Sequence, residues 1–136
     1  MNFEYFIVKG LVKKTTINLL LIKSLIKTSE EDLKFLKELK VKQNSARKIM
    51  SNYYDVLRAF LEAVAISKGY KIYSHEAFTP FLEFIGETNI SQQFDRFRKI
   101  RNKINYYGED ISIEEVRENI EKIEILIKKL KEKYFK

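Results

Sequence analysis

Apolar residues recur three and four positions apart along most of the chain, and no Asn-Gly or Asp-Gly dipeptide separates alternating runs. The pattern predicts an all-α fold, a single helical bundle of about five to six helices. Residues 3 to 14 are mixed: Phe3, Tyr5 and Ile7 alternate as in a strand, whereas Phe6 and Val8 spoil the alternation and Gly10 weakens a helix, so both readings stay open. From Thr16 to Lys27, Ile17, Leu20, Leu21 and Leu25 fall on one helical face, and Leu19, Ile22 and Ile26 widen it into a stripe expected to be buried on more than one side. Thr28-Ser29-Glu30-Glu31-Asp32 reads as the capped start of a new helix, with a hydroxyl for an orphan amide and acids at the positive end of the dipole. That helix should carry Leu33, Leu36 and Leu39 inward and end near Val41.

Gln43-Asn44-Ser45 then caps a long helix in which Ala46, Ile49, Met50, Tyr53, Leu57, Phe60, Leu61 and Val64 keep the rhythm as far as Gly69. Ser74 begins a shorter one with Phe78, Phe81 and Leu82, where Pro80 either kinks the helix or opens a restart capped by Thr79. After a loop at Gly86 to Asn89, Ile90, Phe94, Phe97, Ile100 and Ile104 mark a helix running to Gly108. Ser112 and Glu115 form a capping box for the last helix, whose seam of Ile113, Val116, Ile120, Ile123, Ile127, Leu130 and Tyr134 reads first as packing along the bundle's own core. The organisation is one domain over 1–136, with the bundle core in 28–136 and an N-terminal segment, 1–27, whose packing the pattern leaves open.

Composition narrows the chemistry. At 136 residues, 45% hydrophobic and 33% charged, the chain has the length and balance of one folded domain. Without Cys and with a single His, it has no disulfides, thiol nucleophile, cysteine zinc site or paired-histidine zinc motif, and no metal or cofactor is expected. Lys and Arg number 26 against 19 acids, a net charge of +7 that favours polyanions such as RNA, although a Lys-, Glu- and Ile-rich surface also suits a heat-adapted protein. The best apolar run, Ile17 to Ile22, contains Asn18 and closes at Lys23, short of the roughly 18–20 residues of a membrane span. Met1-Asn2-Phe3-Glu4 lacks the basic start of a secretory signal, so a soluble, cytoplasmic protein is expected.

The informative segment is Phe94 to Gly108. At about 100° per residue, Arg101 lands between Phe94 and Phe97 on the apolar face, away from Arg96 and Lys103. A guanidinium cannot shed its charge on burial and must meet an acid, carbonyls, an aromatic face or an outside anion. An ion pair with Glu62 or Asp55 of the long helix is the plain structural alternative. Arg98 one turn before and Asn105 one turn after line the same edge, so the three are expected to converge on one phosphate. Tyr106-Tyr107 would offer a surface for an unpaired base. Tyr54, Arg58 and Glu62 form an i, i+4, i+8 row that faces this edge across the bundle, with Glu62 as the counterion expected for Arg101. His75, within Ser74-His75-Glu76, reads as a helix-start residue rather than a catalyst.

Arg101-Asn102-x-x-x-Tyr106 at a helix end resembles the Arg-x4-His motif of HEPN domains, in which Asn commonly follows the Arg. The long helix with Tyr53-Tyr54-Asp55-Val56-Leu57-Arg58 and Glu62-Ala63, then Gly69-Tyr70 and Ser74-His75-Glu76, is similar to that family's second helix and the turn after it, so the resemblance covers about residues 30 to 134. It implies a helical bundle that forms a homodimer with the motif helices near the two-fold axis, in many members a metal-independent endoribonuclease, and often a nucleotidyltransferase partner in a toxin–antitoxin pair. Here Tyr106 stands where active members carry His. Metal-free RNA cleavage needs a base for the ribose 2′-hydroxyl, and a phenol titrating near pH 10 is poorly poised for that task. The leading expectation is an RNA- or nucleotide-phosphate-binding protein with weak or absent ribonuclease activity, Arg101 acting with Arg98, Asn102, Asn105 and Tyr107. Two alternatives stay open, an endoribonuclease using Arg101 with Tyr106 and a non-catalytic helical module that binds another protein.

Overall fold

A computed structural model describes residues 1–135. The long helix expected from Ala46 forms the centre: α3 (Ala46–Ser67) buries 14 of its 22 residues, because its apolar band is wide enough to take neighbours on several sides. Three further helices, α2 (Leu19–Lys37), α5 (Thr88–Tyr107) and α6 (Ile113–Tyr134), pack directly on α3, and α4 (Phe78–Phe84) packs on α5. α1 (Phe3–Val8) docks on α4, where the Phe3 ring meets Phe81 at 5.6 Å and Phe84 at 4.9 Å. The architecture is an all-α helical bundle with one small addition, an antiparallel pair of β1 (Val12–Lys14) and β2 (Tyr70–Ile72) in which Val12 faces Ile72 and Lys14 faces Tyr70. None of the helices described is long and apolar enough to cross a membrane.

The strand pair sets the course of the chain beyond α3. Gly69 leaves that helix with φ of 86°, a left-handed turn that a Cβ would strain, and its carbonyl accepts from Thr15 N at 2.8 Å. The chain thus doubles back along β1 before a short 3₁₀ turn (His75–Ala77) leads into α4. Residues 3 to 14 therefore take up both readings of their pattern, a helix and then a strand, and Phe3, Phe6 and Val12 join the same core as α3. Pro80 causes no kink. It lies in the first turn of α4, where an amide has no intrahelical acceptor to lose, and Thr79 does not cap the helix but donates to Asp95 Oδ1 at 3.1 Å.

Two expectations for the N-terminal third are corrected. Thr16–Lys27 and the segment from Thr28 are one helix, α2, opened by Asn18, whose side chain accepts from Leu21 N at 3.0 Å, and closed at Lys37 rather than near Val41. The reason is a seam that runs straight through the acidic cluster: Ile22, Ile26, Ser29, Leu33 and Leu36, at alternating steps of four and three, face inward as buried or half-buried residues. With no Gly or Pro to interrupt it, a capping sequence inside such a seam stays helical. Leu39 falls beyond the helix and is exposed. The broad stripe at residues 17 to 26 is also not buried on several sides. α3 is the main cover of α2, with α6 reaching its middle through the Lys131–Glu30 pair, so Ile22 is buried while Ile17, Leu19 and Leu20 remain 55%, 67% and 81% exposed.

The later helices follow their patterns closely. Ser112 caps α6 by accepting from Glu115 N at 3.1 Å, and Val116, Ile123, Ile127 and Leu130 are buried along α3. Because α2 is continuous, Thr28→Ala, which would remove a cap from a two-helix arrangement, is expected to leave stability unchanged or slightly raised in urea denaturation. Asn18→Ala, which deletes the real cap, should cost about 1 kcal/mol in the same measurement.

Candidate functional site

Three elements meet at one buried ring. α3 supplies Tyr54, fully buried and stacked on Phe94 of α5 with centroids 5.5 Å apart. α5 supplies Arg101, one helical step of seven from Phe94 and one of four from Phe97, so that the packing of both phenylalanines holds its stem against the core. The 3₁₀ turn supplies His75, whose Nδ1 lies 3.3 Å from the Tyr54 hydroxyl.

The Arg101 guanidinium lies over the Tyr54 ring at 5.6 Å and against the Tyr106 ring at 5.8 Å, with Nη1 donating weakly to the Tyr106 hydroxyl at 3.5 Å. Its Nε is buried and has no acceptor among the described residues. Among the described residues no carboxylate lies within ion-pairing distance of it. The expected pairing with Glu62 is thus corrected. Glu62 is taken by Lys71 of β2 and, at 3.8 Å, by Arg58, because the strand pair brings a lysine to it. Asp55, the other expected counterion, lines the groove between α2 and α3 instead.

The convergence expected of Arg98, Arg101 and Asn105 is only partly realised. Arg98 is held by Asp95 on its own helix, through Nε at 3.2 Å and Nη2 at 2.9 Å, with Glu76 at 4.0 Å. Asp95 is correspondingly pulled below the usual carboxylate range: burial opposes this, but hydrogen bonds from Arg98, Lys99 and Thr79 outweigh it. Asn105 turns to α3, its Oδ1 accepting from Ser51 Oγ at 3.0 Å. Asn102 is half-buried, and Tyr106 and Tyr107 are 70% and 77% exposed. Of the row on α3, Tyr54 touches Arg101, Arg58 lies close enough to influence Tyr54 and His75 electrostatically, and Glu62 is engaged elsewhere.

His75 is the group that the sequence pattern undervalues. Ser74 makes no side-chain cap there, and the imidazole faces Tyr54 rather than completing a helix start. Burial, reinforced by Arg58, Arg101 and Arg98 against a weaker opposing pull from Glu62, pushes its pKa down to about 4, so it is neutral at pH 7. Burial pushes the Tyr54 phenol up to about 12 despite the same three arginines, so it keeps its proton. The arrangement is a set of arginines around a neutral Tyr54–His75 pair. No cluster of three metal-ligating side chains occurs among the described residues.

Because folded His75 resists protonation while an unfolded histidine titrates near 6.5, stability is expected to be full above that value and to be lost as pH falls from about 6.5 to 4. Unscreened, the shift corresponds to about 3 kcal/mol; the half-exposed ring reduces this to roughly 1–2 kcal/mol. Urea denaturation at pH 7, 5 and 4 checks this, with His75→Gln expected to flatten the dependence in that window. Compared with known proteins, the chain matches no family model, no curated protein and no solved structure.

Proposed function

We propose that this chain is a HEPN-like protein that binds RNA or a nucleotide through a phosphate at Arg101, with weak or no ribonuclease activity. The observation that carries the reading is a half-buried guanidinium lying against two tyrosine rings with no carboxylate among the described residues to neutralise it. Such a charge loses hydration without regaining it from the protein, and a phosphate oxygen supplies the missing acceptor in a matched, charge-assisted geometry. Tyr106, exposed against it, and the exposed Tyr107 next in the chain offer faces for an unpaired base. The net charge of +7 supports approach of a polyanion.

Weak or absent cleavage follows from the missing base at the motif position, since Tyr106 is a solvent-exposed phenol bonded only loosely to Arg101. The resemblance adds a homodimer and a nucleotidyltransferase partner of a toxin–antitoxin type to the proposal. A second reading, a module that docks another protein, draws support from the uncovered Ile17, Leu19 and Leu20 at the start of α2.

Fluorescence anisotropy with labelled oligouridylate at low salt tests the leading reading. Arg101→Ala is expected to weaken binding roughly tenfold or more, as the loss of a charge-assisted contact of about 1.5–3 kcal/mol implies. Affinity should fall with rising salt, and RNA incubated with the protein in EDTA should remain intact or be cut slowly. Equal binding by the wild type and Arg101→Ala overturns the assignment.

A further inference from the structure

The protonation pattern at His75 follows from its neighbour. The Tyr54 hydroxyl is buried and meets no acceptor among the described residues besides His75 Nδ1. If Nδ1 carried the imidazole proton, the phenolic hydrogen would be buried without an acceptor, at a cost of about 1–3 kcal/mol. The phenol therefore donates to Nδ1, and the proton of the neutral ring sits on Nε2, on the side away from Tyr54. Nothing among the described residues accepts from Nε2.

Two donors around the same tyrosine are buried and unmet among the described residues. Arg101 Nε and Arg58 Nε are both buried without an acceptor, and both arginines act electrostatically on Tyr54 and His75. Among the acids near this group, Glu62 from α3 is committed to Lys71 and Arg58, Asp95 from α5 to Arg98 and Lys99, and Glu76 of the turn itself is drawn toward Arg98, while Asp55, which also acts on Tyr54, lines the groove between α2 and α3. The α4 carboxylate Glu83 lies within 3.4 Å of Ser91 Oγ. The cluster is rich in donors and short of one acceptor.

We infer that His75 is a direct contact of the phosphodiester held at Arg101, donating Nε2–H from a neutral imidazole whose tautomer Tyr54 fixes. The inference rests on the phosphate-binding reading of Arg101 and adds the group that orients the phosphate there. Tyr54 is a positioning residue, acting through His75. Binding of a diester anion favours the imidazolium, so proton affinity at His75 and RNA affinity are linked, and RNA binds more tightly as the medium is acidified below neutrality.

The test uses the full chain and octauridylate, whose diester linkages keep their charge throughout the range. In the wild type at pH 7, imidazole ¹⁵N shifts should report the Nε2–H tautomer, and the His75 signals should move on addition of octauridylate. Between pH 7 and 5 the wild type should gain affinity. His75→Phe should bind roughly three- to tenfold more weakly, consistent with loss of one hydrogen bond, and lose that gain. His75→Gln, which keeps a donor, should recover part of the affinity but not its pH dependence, and Tyr54→Phe should show mixed tautomers. Unmoved His75 signals at saturating octauridylate, or wild-type affinity in His75→Phe, overturn the inference while Arg101→Ala still shows the phosphate reading to hold. Failure of the wild type to bind octauridylate overturns both.

Discussion

The site depends on the contact between a permanent cation and an aromatic face. A guanidinium stacked on a buried tyrosine gains about 0.5–2 kcal/mol from the ring's quadrupole, according to how far it is desolvated. That is enough to hold Arg101 over Tyr54 but too little to replace the hydration surrendered along its inner edge, where Nε is buried and unmet. A carboxylate would neutralise it more fully, and the one expected for it, Glu62, stands two helical turns along α3 from Tyr54. The fold diverts it. β2 runs antiparallel to β1 with Lys71 in its middle, and that lysine occupies Glu62.

Rigidity behind the contact matters as much as the contact. Tyr54 is fully buried, stacked on Phe94, which in turn meets Phe78 at 5.8 Å. Close packing leaves the ring no alternative rotamer without opening a cavity. The same ring presents its face to Arg101 and its hydroxyl to His75, so one immobile side chain orients two groups from different elements. Placing such a site on helices and a short tight turn, rather than on a long loop, keeps its geometry without bound ligand.

Helical periodicity carried most of the fold. The rhythms of Ala46–Ser67, Thr88–Tyr107 and Ile113–Tyr134 are long and regular, and the Ser112 cap sits at an unambiguous edge. The same logic misled at Thr28-Ser29-Glu30, because a capping pattern is local and the seam from Ile22 to Leu36 is not; tertiary burial of Ser29 against α3 overrides the preference of the segment. The strand pair was hidden for a different reason: three residues on each side carry too short an alternation to read, and their pairing joins positions far apart in the chain. Everything it controls was hidden with it, including the capture of Glu62 by Lys71 and the arrival of His75 beside Tyr54. Arg101 was legible because its angle relative to Phe94 and Phe97 is fixed by one helix alone.

Two arginines of α5 differ in how their charge is met. Arg98 and Arg101 lie three residues apart on one helix and both approach the core, yet Arg98 has an acid at i−3 whose oxygen it reaches through two nitrogens, and Arg101 has Arg98 at that position. A paired arginine offers an incoming phosphate little, because its carboxylate must be displaced and then left facing the anion. An unpaired one offers its full charge, and Arg98, though locally neutralised, still helps keep His75 uncharged. The asymmetry therefore leaves Arg101, among the described residues, as the core-facing arginine of α5 without a carboxylate.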